Sequence, residues 1–121
     1  HTVAGNKRCI GNVVVESEFG TLVAFENHSG KTYLGPKARP LGKSVVGYGN
    51  NAKDGQEGAI QGNIFGCYLH GSLLPKNPHF ADHLLKLSLK RRYGNVELAP
   101  LDDSTEMAAH QAAIKRAHAT R

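Results

Sequence analysis

The sequence predicts one mixed α/β domain in which strands come first and two helices come last. Three observations carry that reading. Up to His70 the apolar runs are short, rich in β-branched residues and separated by glycine-marked turns. After Asn77 the apolar spacing changes to three and four residues. A chain of 121 residues with 40% hydrophobic and 21% charged residues has the size and composition of a single ordinary core.

Residues 9–17, Cys-Ile-Gly-Asn-Val-Val-Val-Glu-Ser, open the strand-rich part. Ile10, Val13, Val14 and Val15 cannot all face one side, so this strand is expected to be covered on both faces, as strands of parallel sheets are. Phe19-Gly20 turns the chain into a second strand at Leu22–Phe25, and Ser29-Gly30 is read as a break before a short strand at Thr32–Leu34. Pro36 and Pro40 make 35–43 a loop. Val45–Tyr48 is a further strand, Gly49–Gly58 a polar loop, and Ala59–Gln61 and Ile64–Leu69 close the strand region.

Asn77 is placed to cap a helix that has Pro78 at its first position, where a missing N–H costs nothing. Phe80, Ala81, Leu84, Leu85 and Leu87 form its apolar stripe and Gly94 stops it. A second helix is expected from Asp103, with Glu106 completing a capping box. Its body is alanine-rich, with Met107 and Ile114 as the only large apolar groups, which predicts a loosely docked element. The chain therefore divides into a domain over 1–101 and a C-terminal helix over 102–121.

Composition also excludes function classes. Membrane insertion needs an apolar run of about 18 residues, which the sequence lacks, and the first residues have no apolar signal-peptide core. Two cysteines, Cys9 and Cys67, are too few for a disulfide framework and read as reduced, mostly buried thiols of a cytosolic protein. The net charge of +5 is concentrated at Lys86, Lys90, Arg91 and Arg92, where cations oppose a helix dipole. Only Tyr93 accompanies them, so nucleic-acid binding is not expected. His79 and His83 have the four-residue spacing of a two-histidine metal site, yet a third ligand is missing and both are read as exposed. Gly47-x-Gly49 lacks the lysine and hydroxyl of a phosphate loop and is read as a rim of a cleft or a partner contact. No metal or cofactor is expected.

His70 is the candidate catalytic residue. It ends an apolar strand and is followed by Gly71 and a loop with Pro75, a setting that suits an imidazole titrating near pH 6.5 for general acid–base work. Neither cysteine sits in a Gly-x-Cys-x-Gly elbow, the tight turn that exposes a nucleophile beside oxyanion-binding amides. Cys67 lies three residues before His70, and strand alternation would send the two side chains to opposite faces.

Four segments carry a family resemblance. The run Gly66-Cys67-Tyr68-Leu69-His70-Gly71 through Leu74-Pro75-Lys76-Asn77-Pro78-His79-Phe80-Ala81-Asp82 resembles the catalytic-histidine segment of the glutaminase subunits (GatD) of lipid II isoglutaminyl synthase. Phe25-Glu26-Asn27-His28-Ser29-Gly30, Gly47-Tyr48-Gly49-Asn50-Asn51 leading into Asp54-Gly55, and Arg8 with Ile10-Gly11-Asn12 match the same pattern in order. Together they span roughly residues 7 to 87. More distantly, Tyr68-Leu69-His70-Gly71 is similar to the element shared by cobyric acid and cobyrinic acid diamide synthase glutaminase domains.

The resemblance implies a class I glutamine amidotransferase with a flavodoxin-like three-layer fold, of which residues 1–101 would supply the C-terminal part. Its members hydrolyse glutamine and pass ammonia to a Mur-type ligase (MurT), forming a cytoplasmic heterodimer that amidates the D-glutamate of lipid II with ATP. His70 would then be the general base and acid, and Arg8 would hold the glutamine carboxylate. The nucleophile elbow of the family precedes the Arg8 region, so it is expected upstream of His1, and the isolated chain is expected to be inactive. Many amidotransferases of this class carry a glutamate two residues after the histidine; here Ser72 stands there, and the resemblance implies a family that works with a Cys–His pair. Glu26 is read either as a solvated strand-end glutamate or, if there is an orienting acid, as that acid. The alternatives are a cobyric-acid-synthase-type glutaminase domain and a non-catalytic remnant kept for partner binding.

Overall fold

A computed structural model describes residues 1–120. Six strands precede two helices: β1 Thr2–Ser17, β2 Gly20–Thr32, β3 Gly42–Val46, β4 Gln56–Glu57, β5 Ala59–Gln61, β6 Ile64–Gly66, α1 Pro78–Tyr93 and α2 Ser104–Ala119. The first four form one sheet in the order β2-β1-β3-β4, and β5 and β6 form a separate hairpin. Every pairing in both sheets is antiparallel. The two-sided strand of the sequence reading therefore exists, but not in a parallel sheet.

Two helices explain how β1 is covered on both faces. Val13 and Val15 face a core with Leu22, Ala24, Leu41, Ile60, Leu69 and Phe80, the last contributed by α1. Val14 faces the other way, with Val23, Val46 and Ala117 of α2. Burying each such valine or leucine stabilises the fold by about 1.5–3 kcal/mol.

Several boundaries differ from the sequence reading, each for a physical reason. β1 begins at Thr2, because Thr2, Val3 and Ala4 pair with Thr32, Lys31 and Gly30 beyond an irregularity before Cys9. Ser29-Gly30 does not break β2. Gly30 is needed there for space, since a Cβ would stand 2.8 Å from the Tyr68 hydroxyl oxygen. β3 starts inside the expected loop, at Gly42, and ends at Val46 because Gly47 takes φ +119. The expected loop 49–58 contains β4. β6 stops at Gly66, so His70 does not end a strand; it forms an isolated bridge to Phe25 of β2.

α1 begins at Pro78 and is closed by Gly94, whose N–H reaches Lys90 O. Asn77 occupies the cap position, but its side chain does not cap. It accepts the Val23 N–H and donates to Val23 O and Leu73 O, tying the helix start to β2 from a fully buried place. The capping box at Asp103 is likewise not made, and Asp102 accepts the Ser104 N–H instead. α2 packs through Ala113, Ile114 and Ala117, while Met107 stays exposed. His110, with its Nδ1 2.8 Å from Lys76 O, anchors α2 to the loop before α1.

Candidate active-site face

Alternation along β2 sorts the motif residues onto two faces. Ala24, Glu26 and His28 are buried, while Phe25 and Asn27 are exposed. Phe25 sits opposite Asn12 and Asn27 opposite Ile10, so those residues share the exposed face. His70 exchanges both backbone hydrogen bonds with Phe25, at 2.7 and 3.2 Å, and directly opposed residues share a face. Arg8 joins them, its Nε donating to Asn27 Oδ1 at 2.6 Å.

The structure thus brings the two predicted site residues, His70 and Arg8, to one open sheet face on either side of β2. Arg8 lies past the Ile10–Asn27 pair and His70 lies opposite Phe25, so from strand spacing and rise their backbones stand about 16 Å apart. Both side chains are exposed. α2 covers the neighbouring part of this face, where Asn12 Nδ2 donates to Thr120 Oγ1, and a groove of ≈610 Å³ runs between β1 and the end of α2. Ile10, at 51% exposed, and Phe25, at 39%, are large apolar groups left in the open beside His70 and Arg8.

Glu26 is not on this face. It is fully buried, accepting the Tyr48 N–H at 2.8 Å and the Gly49 N–H at 3.2 Å, and its Oε2 lies 3.6 Å from His28 Nε2. Its work is to hold the loop after β3, so the orienting role considered for it has no geometric support. Gly47-Tyr48-Gly49 is accordingly bound to the sheet through backbone amides, which explains a glycine-rich stretch without phosphate chemistry.

The cysteines also separate. Cys9 is buried, with Lys31 Nζ 2.7 Å from its Sγ, but Cys67 is exposed, against expectation. Desolvation first, and the nearby Glu57 charge after it, push the Cys67 thiol up, while a backbone bond at Leu69 pulls the other way. A raised thiol is the opposite of what a nucleophile needs. His79 and His83 are half-buried rather than exposed. His79 Nε2 is 3.1 Å from Thr21 O, and His83 packs 4.4 Å from the Phe19 ring. Burial, then the neighbouring His110, lowers the His79 pKa against the pull of the Thr21 carbonyl. No group of three or more metal-ligating side chains occurs among the described residues.

Sequence reasoning missed Glu57 and Tyr68. Glu57 is fully buried on β4 and accepts the Tyr68 N–H at 2.8 Å. Tyr68 stacks on His28, with ring centroids 3.7 Å apart and planes at 7°. A glutamate inside a glycine-rich polar loop carries no sequence signal of burial.

Comparison with known proteins decides the family. Residues 1–78 match the model of the CobB/CobQ-like glutamine amidotransferase domain. The chain belongs to that family. It is 41% identical over 119 residues to the GatD subunit of the glutamine-hydrolysing lipid II isoglutaminyl synthase of Staphylococcus aureus, covering 98% of this chain and 48% of the relative. The corresponding GatD subunit of Streptococcus pneumoniae is 37% identical over 115 residues, covering 91% of this chain and 44% of the relative. A probable cobyric acid synthase of Methanothermobacter thermautotrophicus is 36% identical over 98 residues, 80% of this chain and 19% of the relative. The chain thus spans less than half the length of these relatives. Among the described residues no helix is long and apolar enough to cross a membrane.

Proposed function

We propose that this chain is the histidine-bearing part of a GatD-type glutaminase that supplies ammonia for amidation of lipid II. The observation that carries the reading is His70 exposed on the same open sheet face as Arg8, in a chain 41% identical to a GatD subunit. In the complete enzyme a cysteine outside this chain faces His70. The imidazole takes the thiol proton, the thiolate attacks the glutamine carboxamide, and the imidazolium returns the proton to departing ammonia. Arg8 pairs with the glutamine α-carboxylate; its bond to Asn27 already aims the guanidinium along the face. Ammonia then passes to a Mur-type ligase of the MurT kind, which amidates the D-glutamate of lipid II in the cytoplasm. The flavodoxin-like layering implied by the resemblance would be completed by segments packing on the open face. Residues 1–101 carry the site and 102–121 are the C-terminal part, of which α2, Ser104–Ala119, covers one end of the face and Arg121 lies outside the described residues.

The test compares nitrogen sources in the complete subunit bound to its ligase. His70→Ala lowers glutamine-fed amidation by a factor on the order of 100 to 10,000 and leaves ammonium-fed amidation near wild type. Equal loss from both sources sinks the proposal, because hydrolysis and ligation take place at separate sites.

A further inference from the structure

Two buried polar atoms among the described residues lack a hydrogen-bond partner, Glu57 Oε2 and His28 Nε2. Both belong to side chains that hold Tyr68. Glu57 Oε1 accepts the Tyr68 N–H at 2.8 Å, and the His28 ring stacks on the Tyr68 ring. The Tyr68 hydroxyl is fixed in turn against Thr32 Oγ1 at 2.9 Å.

Tyr68 lies two residues before His70, in the stretch between the end of β6 at Gly66 and the bridge to Phe25. That stretch belongs to no strand: the two backbone bonds to Phe25 hold its end at His70, and the Glu57 side chain holds its backbone at Tyr68. Immediately after His70, Gly71 and Ser72 take φ of 64° and 59°, so the chain turns away sharply there. The left-handed conformation at Ser72 is costly for a residue with a Cβ and persists only where its surroundings enforce it. His70 is held by its two backbone bonds to Phe25, by Lys76 Nζ on Gly71 O just after it, and upstream by the fully buried Glu57 carboxylate on the Tyr68 N–H. A buried carboxyl with one unpaired oxygen costs stability. An asparagine-like amide hold such as that of Asn77 on Val23 would avoid the charge.

We infer that Glu57 is a positioning residue for His70: its carboxylate clamps the Tyr68 amide and so fixes where the imidazole emerges on the open face. The inference rests on the glutaminase reading and names a residue that reading does not use. Desolvation, opposed by the Tyr68 amide and assisted by the Glu26 charge, pushes the Glu57 pKa from 4.5 up to about 7. The clamp is thus a charge-assisted bond above that pH and a weaker neutral one below it. The titratable groups around the clamp are Glu26 and His28 from β2 and Cys67 and Tyr68 from the clamped stretch.

The experiment measures glutamine hydrolysis across pH in the complete complex for wild type, Glu57→Ala and Glu57→Gln. Glu57→Ala lowers kcat on the order of tenfold to a hundredfold with KM nearly unchanged, as misplacement of a catalytic group does. Dividing wild-type kcat by that of Glu57→Gln cancels the pH dependence the two proteins share, and this ratio rises with pH through about 7. Ammonium-fed amidation stays at wild-type level in both variants. Wild-type kcat in Glu57→Ala, or a ratio that does not change with pH, overturns the inference. Glu57→Gln keeps the volume and an acceptor, so its ratio decides the matter even where Glu57→Ala fails to fold. A wild-type complex without glutaminase activity would instead overturn the functional reading beneath it.

Discussion

The two faces of β2 differ more than any two elements of this chain. On one face Glu26 and His28 are buried polar groups, each committed to backbone or to the other, beside the valine and leucine core. On the other, Phe25 and Asn27 stand in the open with His70 and Arg8 as neighbours, and α2 covers only the end at Val23. Past its core residues Leu22, Val23 and Ala24, the same strand turns Glu26 and His28 inward to hold backbone and leaves Phe25 and Asn27 outward. Motif residues with identical sequence prominence, Glu26 and Asn27, do unrelated jobs because a period of two separates them.

That contrast can be broken first at Glu26. Glu26→Ala strips the acceptor from the Tyr48 and Gly49 amides and leaves His28 beside an empty site. The expected loss is about 3–5 kcal/mol of stability, read by denaturant unfolding. A loss below about 1 kcal/mol would mean the buried face is not what holds the loop.

The next effect is a pH dependence, and its sign follows from the direction of the Glu57 shift. The folded chain binds this proton more tightly than the unfolded one, so the stability it contributes is full below 4.5 and is lost as pH rises to about 7. Measured against Glu57→Gln, wild-type stability should fall by up to about 3 kcal/mol across that window and stay level above it. A difference that rises with pH, or that does not change, would show that Glu57 is ionised throughout.

The smallest effect sharpens the comparison from the exposed side. Arg8→Ala should change stability by no more than about 0.5 kcal/mol, since its bond to Asn27 is exposed. In the complete complex it should raise KM for glutamine, with ammonium-fed amidation unchanged. An unaltered KM would leave Arg8 as a surface side chain.

Local signals made part of this legible in the sequence. Pro78 and Gly94 mark α1, Phe19-Gly20 marks the first turn, and the Tyr68–Gly71 element marks the candidate histidine. The rest depends on contacts between distant residues. Gly30 looks like punctuation until the Tyr68 hydroxyl is seen to need its space, 38 positions downstream. Asn77 looks like a helix cap, yet a buried β2 backbone 54 residues away takes its amide. The alanine-rich α2 shows a weak stripe, but it needs only small residues to lie flat on Val14, Val23 and Val46, and His110 adds an anchor no periodicity displays. Antiparallel pairing was hidden for the same reason. Two-sided burial of β1 is what a parallel sheet requires, and a helix on each face produces the identical pattern.

The central claim is that the open face acts and the buried face supports. Thermal unfolding and glutamine hydrolysis of His70→Ala, measured on the same preparation of the complete complex, test it most directly. The account predicts a melting temperature within a few degrees of wild type, because the exposed imidazole leaves the Phe25 backbone bonds intact, together with hydrolysis lowered on the order of 100-fold or more. A variant that keeps its hydrolysis, or that loses it only by melting far below wild type, would contradict the account.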